Sequence, residues 1–247
     1  MRIALTRPTA DNATLAEQLT KCGHEPVIAP LLTIELHPPS AAELASASAL
    51  IITSRNALRA IAGIPVTGIP LFAVGSGTAV LARSLGFQSI ITGPGTAEQL
   101  ATFVVRERSP SAGSLLALTG EDVAYDLAGE LSAQGFDVRA LTVYRSEPVA
   151  ECPAVLETGL RSGKLDGIVL LSPKTARTYG TLLSEKQMLG FAARLPHFCL
   201  SSKVADALSW LDQSHKLVAD LPTIEKIVAR VNHAAALLQQ DPARHEV

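Results

Sequence analysis

Residues 71–86 read LFAVGSGTAVLARSLG, and this stretch indicates the class of fold by itself. Its first four residues, 71–74, have the length and continuous hydrophobicity of a strand that is buried on both faces. Residues 75–77 (Gly-Ser-Gly) predict a turn, and residues 78–85 predict a helix that ends at Gly86. A buried strand followed by a turn and a helix is the repeating unit of a parallel α/β sheet.

The same unit recurs along the chain. Short apolar runs, each followed by a polar or glycine turn and a helical pattern, occupy residues 2–5, 50–53, 115–118, 167–171 and 197–200. Right-handed crossovers place the strand-to-helix turns of such a sheet along one edge. We therefore predict an α/β protein built from parallel sheets of the Rossmann-like or flavodoxin-like kind.

An internal repeat suggests two related domains. The pattern L-x3-L-x3-G spans residues 15–23 and again residues 127–135, and each copy is followed closely by an acidic residue and a strand. The same spacing is common in any helix that ends at a glycine, which is the alternative explanation. The similar order of elements in the two halves favours two α/β domains.

Two segments of the chain have the character of connectors between these domains. Residues 31–39 and 140–148 alternate apolar and polar side chains before a proline. Two such strands can pair, which predicts a two-stranded antiparallel hinge that the chain crosses twice. The first domain is then discontinuous, formed by residues 1–34 and 147–247, and the second comprises residues 38–141.

Composition and charge exclude several classes of protein. The chain has 247 residues, of which 47% are hydrophobic, enough for a substantial core. A formal net charge of −2 leaves no basic excess for binding nucleic acid by bulk electrostatics. The longest uncharged stretch, residues 60–82, is interrupted by glycines and prolines, so we expect no membrane span. No signal-peptide run follows Met1, and we expect a cytoplasmic monomer whose polar residues 239–247 are loosely held.

Sequence motifs for cofactors and metals are incomplete. The three cysteines form no C-x-x-C pair, and the six histidines have no H-x-x-x-H spacing. Val80 stands where a G-x-G-x-x-G fingerprint would need its third glycine, and the sequence contains neither a Gly-Lys-Ser/Thr phosphate loop nor a G-x-S-x-G elbow. These absences count against a nucleotide cofactor, a hydrolase triad and metal catalysis.

Candidate site residues lie in the turns that follow the predicted strands, because open α/β sheets bind ligands at the carboxyl ends of their strands. These turns share small hydroxyls, glycines, basic side chains and free backbone N–H groups, a combination that suits an anionic ligand. The alternative is that the serines and threonines are only helix N-caps. The candidates are Thr6, Arg7, Ser54, Arg55, Asn56, Gly75, Ser76, Thr78, Thr119, Gly120, Ser172, Pro173, Ser201, Ser202 and Lys203.

Short motifs in the same turns match a known family in order and spacing. They are Thr6-Arg7-Pro8, Thr53-Ser54-Arg55-Asn56-Ala57, Val74 to Ala79, Thr96-Ala97-Glu98-x-Leu100, Val143-Tyr144, Asp166 to Pro173 and Leu221-Pro222-Thr223. On these marks the chain resembles the uroporphyrinogen-III synthase family over nearly its whole length. The resemblance implies two α/β domains joined by a two-stranded ladder. It also implies a cofactor-independent lyase of haem biosynthesis that cyclises hydroxymethylbilane, a linear tetrapyrrole, with inversion of ring D and loss of water.

The resemblance also implies roles for individual residues. The functional tyrosine of the family corresponds to Tyr144, which would donate a proton to the leaving hydroxyl. The alternative is a strand aromatic that only packs the hinge. Ser54, Thr78 and Ser172 correspond to positions associated with substrate contacts. Transient contact with the upstream bilane-forming deaminase is a further expectation.

The chain departs from the family pattern in two turns. Members often carry a glycine followed by small hydroxyl residues where this chain has residues 201–204 (Ser-Ser-Lys-Val). Members also often carry an arginine shortly after the turn that here is followed by Glu121 and Asp122.

Two other functions remain open from the residues alone. One is a non-catalytic two-domain binding protein for a small anionic ligand, which would have the same hinge and turns. The other is a nucleotide-dependent regulator or transferase, against which the missing phosphate loop counts.

Overall fold

The structure, a computed structural model, describes residues 1–66, 68–123 and 125–240, with residues 239 and 240 described by their backbone alone. The tail that we expect to be loosely held lies, from residue 241 onward, outside the described residues. The strands are β1 (Arg2–Leu5), β2 (Glu25–Ile28), β3 (Leu32–Leu36), β4 (Ala49–Ile52), β5 (Leu71–Ala73), β6 (Ile90–Thr92), β7 (Leu115–Gly120), β8 (Val138–Pro148), β9 (Gly167–Leu170), β10 (His197–Cys199) and β11 (Lys216–Val218). The helices are α1 (Ala13–Lys21), α2 (Ala41–Ala45), α3 (Arg55–Ala60), α4 (Ser76–Ser84), α5 (Ala97–Glu107), α6 (Leu127–Ala133), α7 (Ala154–Arg161), α8 (Pro173–Glu185), α9 (Leu189–Ala192), α10 (Ser202–Asp206) and α11 (Ile224–Gln240).

The chain divides into two compact units. Unit 1 is Met1–Thr33 with Glu147–Val247, and unit 2 is Ile34–Ser146. A five-stranded sheet, in the order β11-β10-β9-β1-β2, belongs to unit 1, and a six-stranded sheet, in the order β3-β8-β7-β4-β5-β6, belongs to unit 2. Strands β1, β2, β9, β10 and β11 pair in parallel, and so do β4 to β8. The predicted α/β class with parallel sheets is therefore confirmed.

Each sheet is covered by helices on both faces, which explains why its strands are apolar throughout. In β4, Leu50 and Ile52 join one buried cluster, whereas Ala49 and Ile51 join the cluster on the other face. In β1 of the other sheet, Ala4 belongs to one cluster, and its two neighbours belong to the opposite one. Successive side chains of a strand point to opposite faces, so a sheet between two helical layers needs apolar residues at every position.

The stretch at residues 71–86 folds as the predicted strand, turn and helix, but with different bounds. The strand ends at Ala73 and the helix at Ser84, each one residue earlier than predicted. The helix begins two residues before the expected Thr78, at Ser76, and Gly75 is its N-cap residue with extended backbone. Ser76 and Gly77 therefore belong to the first helical turn and not to the preceding loop. The first N–H groups of a helix need no partner inside the helix, so weak helix formers are tolerated there.

The repeated pattern L-x3-L-x3-G forms helix α1 in unit 1 and helix α6 in unit 2. All four leucines of the two copies are buried. Gly23 and Gly135 follow the two helices with φ angles of 78° and 87°, a left-handed conformation that favours glycine. In the part of the chain that is described, no helix is both long and apolar enough to cross a membrane.

Candidate functional site

A cavity of about 400 Å³ lies at the carboxyl ends of β4 and β7 in unit 2. Six residues from the predicted turns and the second connector line it, namely Thr53, Ser54, Thr119, Gly120, Ala140 and Tyr144. Apolar side chains, among them Ile51 and Leu127, also line it. The cavity thus combines an apolar lining with hydroxyl groups from three neighbouring strands, as is typical of small-molecule sites.

Tyr144 lies on β8, opposite the last residue of β7. The two strands pair in parallel up to Thr119, where the register shifts, and Gly120 then pairs with Tyr144. The backbone N–H of Glu121 donates to the Tyr144 carbonyl at 3.0 Å and so holds this end of the ladder. The half-buried ring of Tyr144 packs against the unit 2 core and also lines the cavity. Packing and access to the cavity are therefore compatible for this residue.

The turn after β4 is built around the cap of helix α3. The Ser54 hydroxyl accepts the N–H of Asn56 at 3.1 Å, and the Asn56 side-chain oxygen accepts from Arg59. Asn56 is buried, and Arg55 is half-buried at the first position of the helix. Of the three predicted residues in this turn, only Ser54 lines the cavity.

The turn after β5 does not reach that cavity. Gly75 lies close to Gly95, since an added Cβ would come within 3.2 Å of the Gly95 Cα. Ser76 is exposed, and Thr78 is buried in the first turns of α4. Thr119 and Gly120, which the sequence predicted to be a turn, are instead the last two residues of β7, where they pair with β8. Thr119 is half-buried, and its hydroxyl donates to the Leu141 carbonyl at 3.5 Å.

The loop after β7 supplies cavity residues that the sequence analysis missed. Asp122, Tyr125 and Asp126 all line the cavity. Asp126 also caps α6, accepting the N–H of Gly129 at 2.9 Å. Burial raises the pKa of the Tyr125 phenol above its ordinary value, and nearby carboxylates, including that of Asp126, add to this effect. The position of Asp126 directly before an apolar helix indicates a helix N-cap. Nothing in the sequence places this loop near Tyr144, however.

The remaining candidates lie in unit 1, at the carboxyl ends of β1, β9 and β10, which are adjacent in its sheet. Thr6 is buried, and its hydroxyl donates to the Val169 carbonyl at 2.7 Å, joining the ends of β1 and β9. Arg7, next along the chain, forms an ion pair with Asp11 at 3.8 Å. The structure thus places the predicted turns on two separate sheets, three in each unit.

The two other turns of unit 1 begin helices. The Ser172 hydroxyl accepts the N–H of Thr175 at 3.1 Å and caps α8, whose first residue is Pro173. Ser201 precedes α10 without a capping hydrogen bond from its side chain. The remaining two candidates of that turn, Ser202 and Lys203, are exposed. The alternative explanation, that these hydroxyls are helix N-caps, therefore holds for Ser54 and Ser172 but not for Ser201.

A larger cavity, of about 800 Å³, lies at the opposite edge of the unit 1 sheet. Asp166, Pro196 and His215, which line it, directly precede β9, β10 and β11. It contains none of the predicted site residues, and ligands of open parallel sheets bind at the other ends of the strands. Its size alone therefore does not make it the functional site.

Comparisons with known proteins bear on the family. A family model described as "Uroporphyrinogen-III synthase HemD" matches residues 13–229. The uroporphyrinogen-III synthetase of Helicobacter pylori 26695 is 16% identical, with a TM-score of 0.64 over 96% of this chain and 100% of that chain. A mutant uroporphyrinogen III synthase of Thermus thermophilus is 18% identical, with a TM-score of 0.52 over 98% of this chain and 100% of that chain. No curated protein matches significantly.

These matches decide between the functions left open by the residues. The solved structures are too distant in sequence to establish more than the fold, but the family model covers most of the chain. The resemblance and the synthase function predicted from the turn motifs are confirmed, and the binding-protein alternative is not favoured. This chain belongs to the uroporphyrinogen-III synthase family.

Proposed function

We propose that this chain closes hydroxymethylbilane to uroporphyrinogen III, with inversion of ring D and loss of water, as a cofactor-independent hydro-lyase. The observation that carries the proposal is the phenol of Tyr144 in a hydroxyl-lined cavity at the carboxyl end of the unit 2 sheet. The net reaction loses one water and exchanges no electrons. An acid and control over the conformation of the substrate are therefore sufficient.

Tyr144 is the proposed general acid. Its proton goes to the terminal hydroxyl of the substrate, which leaves as water and produces an azafulvene. The substituted carbon of ring D then attacks the azafulvene carbon, and the resulting spiro intermediate opens and recloses with ring D inverted. The proton lost from the pyrrole in the final closure restores the phenol, so the enzyme ends unchanged.

Substrate positioning is the second proposed task, because uncatalysed closure yields the isomer with ring D not inverted. The acetate and propionate groups of the substrate would be held by N–H groups and hydroxyls of the predicted turns. Capping does not prevent this role at Ser54, because a hydroxyl that accepts an N–H still has its own proton to donate. For Ser172 and Thr78 we propose the same contact on the basis of the family.

Strands β3 and β8 are the proposed two-stranded antiparallel hinge, crossed twice by the chain. Two hydrogen bonds support the antiparallel direction: the N–H of Val149 donates to the Leu31 carbonyl, and the N–H of His37 donates to that of Val143. From the first of these bonds to the second, the residue number rises from 31 to 37 in one segment and falls from 149 to 143 in the other, as it does in an antiparallel pair. The proposed domains are residues 1–34 with 147–247, and residues 38–141.

The proposed setting is a cytoplasmic monomer that meets the bilane-forming deaminase transiently. Hydroxymethylbilane closes spontaneously to the wrong isomer, so rapid transfer from the upstream enzyme would limit this loss. Size-exclusion chromatography at several protein concentrations tests the monomer. An elution volume corresponding to twice the chain mass of 25.9 kDa would contradict it.

The test of function is an analysis of product isomers. Fresh hydroxymethylbilane is supplied to the purified protein with and without a metal chelator, and the oxidised products are separated into uroporphyrins I and III. We expect isomer III in large excess and no effect of the chelator. A protein-free sample gives the spontaneous baseline. A folded protein that yields only isomer I at that baseline would overturn the synthase proposal, and thermal stabilisation by tetrapyrroles in such a sample would favour the binding protein.

A further inference from the structure

We propose that Gly120 is a positioning residue for the Tyr144 phenol, and that its missing side chain sets where the phenol lies in the cavity. The inference rests on the proposed function of Tyr144. A Cβ added at Gly120 would lie 2.5 Å from the Tyr144 Cζ and 2.8 Å from both its Cε2 and its hydroxyl oxygen. Non-bonded carbon atoms pack at about 3.5–4.0 Å, so the phenol occupies the volume that any side chain at Gly120 would need.

The register shift at the end of β7 produces this arrangement. It falls between Thr119 and Gly120 and leaves Gly120 opposite Tyr144. The N–H of Glu121 donates to the Tyr144 carbonyl and holds the two backbones in this register. Irregularities of this kind re-aim a side chain at the end of a strand pair. Here the phenol ring occupies the space that a Cβ at Gly120 would need, and both residues line the cavity.

The requirement for glycine at this position is one of space and not of backbone conformation. Gly120 is absent from the glycines with positive φ, so an L-amino acid can adopt its backbone geometry. Its nearest neighbours are all atoms of one side chain, at the far end of Tyr144. By contrast, a Cβ at Gly93 would meet the Ala73 carbonyl at 2.9 Å, where relief would require the backbone to move. An alanine at Gly120 is therefore expected to displace the phenol while the sheet stays folded.

The first arm of the test is Gly120→Ala assayed with hydroxymethylbilane. We expect kcat to fall at least tenfold with KM within about twofold, because a displaced acid slows the chemical step and leaves carboxylate binding in place. The matched control is Gly159→Ala in α7 of unit 1, whose Cβ would meet the Leu165 Cγ at 2.8 Å and which does not line the candidate cavity. This control introduces a comparable clash and should lower thermal stability without lowering kcat by more than twofold. Wild-type kcat in Gly120→Ala would overturn the proposal.

The second arm removes the ring with which the alanine would clash. In a Tyr144→Ala background, Gly120→Ala should cause no further loss of isomer III formation and no further fall in melting temperature. If Gly120→Ala lowers the melting temperature equally in the wild-type and Tyr144→Ala backgrounds, the proposed contact is wrong. If it lowers activity equally in both backgrounds, the positioning role is wrong. The melting arm is independent of the reaction. If the wild-type protein makes only isomer I, the proposed function is wrong. The melting temperatures of the variants then still show whether Gly120 accommodates the ring of Tyr144.

Discussion

Replacing Tyr144 by phenylalanine should lower kcat for uroporphyrinogen III formation by about a hundredfold, while KM and thermal stability stay close to those of the wild type. General acid catalysis contributes on the order of 10²–10⁴ in rate, and phenylalanine removes the proton but keeps the ring. The ring's packing against the unit 2 core is retained. Because the Tyr144 hydroxyl makes no hydrogen bond to any residue within the described part of the chain, its loss leaves no buried partner unsatisfied.

Two other tyrosines make this experiment selective. Tyr179→Phe is the control, because its hydroxyl is bonded to His197 inside unit 1 and it is not part of the candidate site. We expect Tyr179→Phe to lower thermal stability. At assay temperatures below the melting temperature of this variant, its kcat should stay within about twofold of the wild-type value. Tyr125→Phe asks which phenol in the cavity is the donor. A hundredfold loss in Tyr125→Phe together with full activity in Tyr144→Phe would transfer the acid role to Tyr125 and leave Tyr144 as a packing residue.

The fold was largely predictable because its signals are local. Residues 71–86 contain a strand, a turn and a helix within sixteen positions, and burial on both faces leaves an apolar run that needs no distant information to recognise. The error at the start of α4 was of the same local kind. Gly75 and Gly77 both suggest a turn, yet only the first precedes the helix, and the sequence alone does not distinguish an N-cap from a first-turn residue.

The site was predictable only in part because its decisive contacts are long-range. The rule that turns follow strands found Ser54, Thr119 and Gly120, and the family resemblance added Tyr144. The same rule could not show that Gly120 lies next to the ring of Tyr144, because that contact depends on a one-residue register shift between β7 and β8, which helix α6 separates along the chain. Nor could it show which candidate hydroxyls already serve the fold, as that of Thr6 does.

His197 is a second residue whose importance follows only from tertiary structure, and it should make unit 1 sensitive to acid. It is completely buried on β10, where its Nδ1 lies 2.9 Å from the Leu195 carbonyl and its Nε2 lies 3.2 Å from the Tyr179 hydroxyl. A carbonyl can only accept, so Nδ1 carries the proton and Nε2 accepts from the phenol. Both nitrogens of the neutral ring are thus satisfied.

Burial lowers the pKa of His197 from 6.5 to about 4. The hydrogen bond to Leu195 opposes this shift, whereas the charges of His215 and Lys216 add to it. The folded state therefore binds fewer protons than the unfolded state between pH 6.5 and about 4, and the free energy of unfolding falls as the pH is lowered through this window. A shift of this size corresponds to about 3 kcal/mol, fully present above pH 6.5 and lost by about pH 4.

Trp210 makes this loss measurable in unit 1 alone. It is the single tryptophan of the chain, and its ring centroid lies 5.9 Å from that of His197 in an edge-on arrangement. Denaturant unfolding followed by its fluorescence at pH 7, 5.5 and 4.5 should show a steeper loss of unfolding free energy in the wild type than in His197→Gln. The glutamine can donate to the Leu195 carbonyl and accept from Tyr179 but does not titrate, and every other acid-sensitive group is common to both proteins. The difference between the two curves therefore isolates His197, and parallel curves would show that the buried imidazole does not limit acid stability.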